Sequence, residues 1–222
     1  IELGKSSGKR TVFIDNLYSY KHEVPISEIT PEEPATEKGR IRKRIADKFL
    51  AAVNVKEVNG VIVRGSDLFG PYAKNSMIGE RFFTKLFTDG VSEILPLGNT
   101  KHSFTYTYDF AKTALAAAQT DLKENIFLVS NSRAVGYEDL VRMVYGYLEN
   151  PPKESKVPAA IFSILGLFTP EIKSLLQMKD SWNSEYIIEP KMNLGIIPTD
   201  LDTAVATTVK WFKDYVHVRT LE

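Results

Sequence analysis

There is no cysteine among the 222 residues, which excludes disulfides and thiolate metal sites and fits a reducing, cytoplasmic setting. Histidine is scarce. His22, His102 and His217 have no partner at metal-ligand spacing, so no metal site is expected. An excess of either charge is also missing: 28 basic side chains face 28 acidic ones, which favours neither nucleic acid nor an anionic membrane as partner. No apolar run is long enough to span a bilayer; the most apolar piece, VPAAIFSILGLF, is too short. No secretory signal pattern, internal repeat or low-complexity tract is seen. The G-x-G-x-x-G fingerprint that wraps backbone around a pyrophosphate does not occur. GKSSGKRT imitates a phosphate loop, but it has three residues between its glycines and precedes a strand that such a loop should follow.

What is present is globular, with 43% hydrophobic and 25% charged residues, enough for a sizeable core. IELGKSSGKR reads as a helix end closed by glycine and serine. RTVFID (10–15), NGVIVRGS (59–66) and NIFLVS (125–130) are short, continuous apolar runs of the kind buried on both faces of a parallel sheet. Helices are expected at 35–52, 75–87 and 109–119, the last with Asp109 as its cap. HSFTYTY (102–108) alternates as a strand should. Beyond residue 131 come three proline-separated helices (136–149, 158–168, 170–178), a short strand (184–189) and a closing helix (199–216). Early strand–helix alternation followed by a helical cluster predicts an α/β fold: the C-terminal half of a Rossmann-like doubly wound parallel sheet plus a smaller, mostly helical substrate lobe. The sheet part is assigned to 1–70 and 103–131, the lobe to 71–102 and 132–216. Residues 217–222 are read as a tail, its final Leu221-Glu222 resembling a purification-tag scar.

One helix is odd. In ATEKGRIRKRIADKFLAA (35–52), Ile41, Ile45 and Phe49 recur at four-residue spacing and define an apolar stripe. At about 100° per residue, Lys38 and Arg42 fall about 60° and 100° from Ile41, on or beside that stripe. Either their stems cover apolar surface while the heads reach water, or the face opens onto a cleft that holds an anion. Gly39 between them weakens the helix by about 1 kcal/mol against alanine but permits close approach of a backbone or ligand.

Taken in order, VFIDNLYSYK, EKGRIRKRIADKFLAA, VIVRGSDLFGP, NSMIGERFF and HSFTYTYDFAKTAL resemble the later part of the NAD-dependent epimerase/dehydratase family of extended short-chain dehydrogenases/reductases. The resemblance implies a missing front of roughly a hundred residues, at about 25 per strand–helix unit, carrying the glycine-rich cofactor loop. It places Asn16 at the family's catalytic Ser/Thr position, Lys38 at its tyrosine and Arg42 at its lysine, so that K-G-R-x-R stands in place of Y-x-x-x-K. It implies catalytic roles for Asn16 and Lys38, with Tyr18 as a substitute proton donor, and cofactor contacts from Arg42 and Asp67. Asn75, Arg81 and His102 are implied as substrate contacts, with His102 where the family often has a diphosphate-binding arginine. NAD or NADP is the implied cofactor, although these 222 residues alone are expected to bind it poorly.

The expected function is therefore an NAD(P)-dependent oxidoreductase, epimerase or dehydratase acting on a sugar or other hydroxy/carbonyl compound. The alternatives are a non-catalytic dinucleotide- or ligand-binding sensor on the same fold and, third, a basic surface helix (Arg40, Lys43, Arg44, Lys48) touching nucleic acid. A small-molecule partner is expected, with no nucleic acid and no membrane, and a homodimer through the helices at 36–52 and 75–87.

Overall fold

The computed structural model describes residues 1–21, 25–177, 182–192 and 194–220. His22 and the Leu221-Glu222 end lie outside them. In chain order the elements are α1 (Glu2–Ser7), β1 (Thr11–Asn16), α2 (Glu37–Asn54), β2 (Gly60–Gly65), β3 (Leu68–Phe69), α3 (Glu80–Asp89), β4 (Val91–Ile94), β5 (Thr105–Tyr106), α4 (Thr107–Gln119), β6 (Ile126–Leu128), α5 (Tyr137–Tyr145), β7 (Lys153–Lys156), α6 (Ala159–Leu165), α7 (Pro170–Gln177) and α8 (Leu201–Thr220).

The three apolar runs pair as a parallel sheet in the order β1–β2–β6. Successive residues of a strand face opposite ways, and β2 shows it. Ile62 packs with Ala46, Phe49 and Ala52 of α2, while Val61 and Val63 pack with Phe110 and Ala117 of α4. The central strand β2 is thus covered on both sides, which is why it is continuously apolar rather than alternating. This is the expected Rossmann-like, doubly wound arrangement.

A second body is built around α3, α5 and α8, where Phe83 stacks on Phe212 at 4.4 Å between ring centroids. Two small parallel ladders join it to the chain, β3 with β5 and β4 with β7; β4 and β7 were not expected. Several elements also depart from the sequence reading. The helix expected from Asn75 begins only at Glu80, behind the extended Gly79. The 102–108 alternation yields a strand only at Thr105–Tyr106, and both of its faces are buried, because Ser103 and Thr105 are enclosed like Phe104. Asp109 does not cap α4; it accepts hydrogen bonds from the Thr199 N–H (2.7 Å) and Thr199 Oγ1 (2.8 Å), tying α4 to the approach of α8. The 184–189 strand reduces to bridges at Tyr186 and Ile188. Among the described residues no helix is long and apolar enough to cross a membrane.

Candidate functional site

At the C-terminal ends of β1 and β2, where open parallel sheets offer a crevice, lies a cavity of about 850 Å³. Its walls bring together Asn16, Tyr18, Lys38, Asp67, Asn75, Arg81 and His102. These come from segments up to 86 positions apart, Asn16 to His102. Of the eight residues singled out from sequence, only Arg42 is not on the wall.

Helix α2 sets the near side. Thr36 caps it by accepting the Gly39 N–H at 3.0 Å. At Gly39 an added Cβ would stand 2.1 Å from the carbonyl oxygen of Tyr18, so the close approach that this glycine permits is to backbone. That contact sets the Lys38 ammonium over the Tyr18 ring, 4.9 Å from its centroid. Asn16 closes the turn by accepting the Tyr18 N–H on its amide oxygen at 3.1 Å. Burial lowers the Lys38 pKa from the ordinary lysine value and Arg42 lowers it further, against an opposing pull from Asp67. Burial, seconded by Asp67, pushes the Tyr18 phenol well above its usual range, so it remains protonated.

Arg42 points the other way, into the sheet. Its Nε donates to Asp15 Oδ1 at 2.9 Å, and its NH2 is paired with the same oxygen. The other carboxylate oxygen of Asp15 accepts from Arg64 Nε at 3.1 Å. Asp15 and Arg64 are in-register neighbours on β1 and β2, and Arg64 is 0% exposed. Arg64 also donates to the Tyr20 hydroxyl at 2.7 Å and pairs with Glu32 at 2.9 Å. Burial works against its charge, but Tyr20, Glu32 and Asp15 together raise its pKa. The sequence reading missed this cluster. Its signal was a single charge inside each of two apolar runs, VFID and VIVRG, since a charge on a doubly covered strand needs a partner.

The far wall is built on His102. Its ring lies 4.7 Å from that of Trp182 at an interplanar angle of 7°, and its Nδ1 is 3.3 Å from Asp67 Oδ2. The Nε2 atom is buried and has no hydrogen-bond partner among the described residues. Asp67, assigned from sequence to a cofactor, is thus paired with the residue assigned to substrate. Arg81 donates to Glu93 Oε2 at 2.7 Å. Trp182 and Tyr186, both on the cavity wall, were also missed: the 184–189 run reads as a strand, but nothing in its spacing says that Tyr186, or Trp182 just before it, meets His102. On the basic surface of α2, Arg40 bonds Glu37 at 2.8 Å and Lys43 bonds Asp47 at 3.0 Å.

No protein-family model and no curated protein sequence matches this chain. Its fold does match solved structures. Bordetella bronchiseptica WbmH in complex with NAD+ is 17% identical with a TM-score of 0.66, over 97% of this chain and 66% of that one. The UDP-glucuronic acid 4-epimerase of Bacillus cereus in complex with NAD is 15% identical with a TM-score of 0.67, over 93% and 62%. MoeE5 in complex with UDP-glucose and NAD is 17% identical with a TM-score of 0.71, over 100% and 69%. The chain therefore spans about two thirds of the length of each, and at these identities the likeness is one of fold.

Proposed function

We propose that this chain carries the proton-transfer side of an NAD(P)-dependent epimerase/dehydratase-like oxidoreductase acting on a sugar or other hydroxy/carbonyl compound. The observation that carries the reading is Lys38, held at the wall of the large cavity beside Tyr18 and Asn16 with its pKa lowered by burial and by Arg42. A lysine so placed supplies neutral amine nearer to working pH, which is what a general base requires. The division assigned from sequence fits this use, the sheet part offering Asn16 and Lys38, the helical lobe Asn75, Arg81 and His102.

The residues fit the nicotinamide-ribose end of NAD(P). Asn16, Lys38 and Ser66 share one wall, and the buried Ser66 hydroxyl has no partner among the described residues. When bound, the cofactor supplies hydride acceptance and return. The rest falls to the chain's own groups. Lys38 Nζ takes the proton of a substrate hydroxyl and gives it back. Tyr18, kept as a phenol, donates a hydrogen bond. Arg42 cannot act as a base near neutral pH; fixed by Asp15, it contributes positive charge that makes Lys38 a weaker base and a stronger acid.

Nicotinamide absorbance in the protein supplied with NAD(P) and a panel of hydroxy and carbonyl compounds tests the assignment. Lys38→Met is expected to lower turnover by about 10²–10⁴-fold, the usual worth of a positioned general base. Turnover at the unaltered rate in Lys38→Met would remove Lys38 from the mechanism. One observation favours the second reading, a non-catalytic ligand sensor: Arg42 is committed to Asp15 rather than to the cavity. That reading predicts NAD(P) affinity by calorimetry with no hydride transfer on any member of the panel.

The homodimer belongs to the same proposal. Ile41 and Ile45 on α2 are each 42% exposed, whereas Arg81 and Thr84 make the exposed face of α3 polar. α2 is therefore the better candidate surface. Sedimentation should show a dimer that Ile41→Glu with Ile45→Glu converts to monomer; a dimer untouched by both changes would exclude this face.

A further inference from the structure

We propose that the cavity takes an uncharged hydroxy compound with a broad apolar body, whose hydroxyl donates to His102 Nε2, and that it discriminates against a nucleotide diphosphate. This rests on the reading above of the cavity as the substrate site, and narrows it.

The first argument is charge. The wall carries the cations Lys38, Lys74 and Arg81 and the carboxylates Asp67, Glu80 and Glu93, so it offers an anion no net attraction. Each cation is also engaged. Arg81 donates to Glu93, which holds Lys85 as well, at 2.5 Å. Lys74 lies over the Tyr215 ring at 4.4 Å and Lys38 over that of Tyr18. A diphosphate is best held by a guanidinium fork. Turning Arg81 toward it would leave the Glu93 carboxylate beside the phosphates without that partner.

The second argument is the polarity of one atom. With its proton on Nδ1, facing the Asp67 carboxylate, the His102 ring offers Nε2 as a hydrogen-bond acceptor. That atom is buried without a partner among the described residues, in a residue 2% exposed and held flat against Trp182. A buried acceptor wants a donor. Ionised phosphate oxygens have none to give, whereas an alcohol does. The surroundings match the remainder of such a ligand: Leu68, Met77, Phe82, Leu95 and Trp182 line the same space, and apolar walls with a few placed polar groups suit a small, largely apolar molecule.

The test uses 4-phenylcyclohexanol and UDP-glucose as probes of the folded chain. By calorimetry the alcohol should bind at least about tenfold more tightly than UDP-glucose, and His102→Phe should weaken the alcohol about tenfold, the cost of one hydrogen bond. In the unaltered chain with ¹⁵N-labelled histidine, the His102 Nε2 resonance should carry no proton and should shift upfield when the alcohol binds, a readout that survives if His102→Phe does not fold. Tighter binding of UDP-glucose, a protonated Nε2 in the alcohol complex, no binding of the alcohol, or indifference of alcohol binding to His102→Phe in a folded variant would each overturn the proposal. Failure of the enzyme reading looks different: His102-dependent binding of the alcohol without any hydride transfer at NAD(P) concentrations that saturate the cofactor site.

Discussion

Lys38 is held below the ordinary lysine value of 10.5, first by burial and then by Arg42, with Asp67 pulling the other way. A lowered pKa in the folded state means that the unfolded chain binds more protons between the two values, so stability rises with pH through that window. The unfavourable contribution of the cation is complete below the folded pKa and gone above the unfolded one. Lys38→Met should therefore melt higher than the unaltered protein at neutral pH, and the difference should vanish as pH passes about 10.5. Thermal melts across pH check this, and a variant that melts lower at neutral pH would mean that the contact with Tyr18 outweighs desolvation. Arg64 is the opposite case, a cation wrapped by Asp15, Tyr20 and Glu32. Arg64→Met removes the partner and leaves carboxylates in a buried place, so chemical denaturation should show a loss of about 3–5 kcal/mol. These residues also show what the sequence made legible. Lys38 and Arg42 were visible because they interrupt a periodic face, but periodicity cannot say what an interrupting charge meets. One meets the cavity and the other a carboxylate on the neighbouring strand.

At the scale of elements, α2 shows where spacing misled. Ile41, Ile45 and Phe49 define an apolar stripe, yet Phe49 is buried and the two isoleucines are half out. The packed face runs through Gly39, Ala46, Phe49 and Ala52, with Lys38 and Arg42 along the same side. The small residues allow close packing on the sheet, and size, rather than hydrophobicity, marked the inward face. Gly39 supplies the prediction. Alanine there favours the helix by about 1 kcal/mol, but its Cβ would stand 2.1 Å from the Tyr18 carbonyl oxygen and 2.9 Å from Pro34 Cβ. Overpacking of this kind costs about 1–3 kcal/mol, and against backbone there is no flexible side chain to yield. Gly39→Ala should lose up to about 2 kcal/mol net in denaturant unfolding, and should also lower turnover by displacing Lys38. A variant more stable by the full helix gain would mean that α2 does not press on that carbonyl. Boundaries failed elsewhere for similar reasons: Gly79 delays α3, and Asp109, placed well for capping, is taken by Thr199 from 90 positions away.

At the scale of the whole molecule, the sheet was the most legible feature, because three continuous apolar runs at strand–helix spacing admit few arrangements. The helical lobe was legible as helices but not as a cavity wall, since periodicity does not show that Trp182 and Tyr186 meet His102 across some 80 positions. The sheet order carries a further consequence. β1 is an edge strand, and on its far side no strand among the described residues pairs with it. Ile14 in its middle is 48% exposed. A flat edge with exposed apolar side chains is a template for pairing with another copy, and natural edges are commonly protected by an inward-pointing or flanking charge. The 222-residue chain should therefore scatter light increasingly with concentration and on mild heating. Ile14→Lys should suppress that scattering while leaving the melting temperature nearly unchanged, because a half-exposed edge position has little core to lose. The same substitution at Ile45 should leave the scattering in place, since α2 presents no unpaired backbone. Equal suppression by both changes would instead trace the association to apolar surface in general, and β1 would lose its special role.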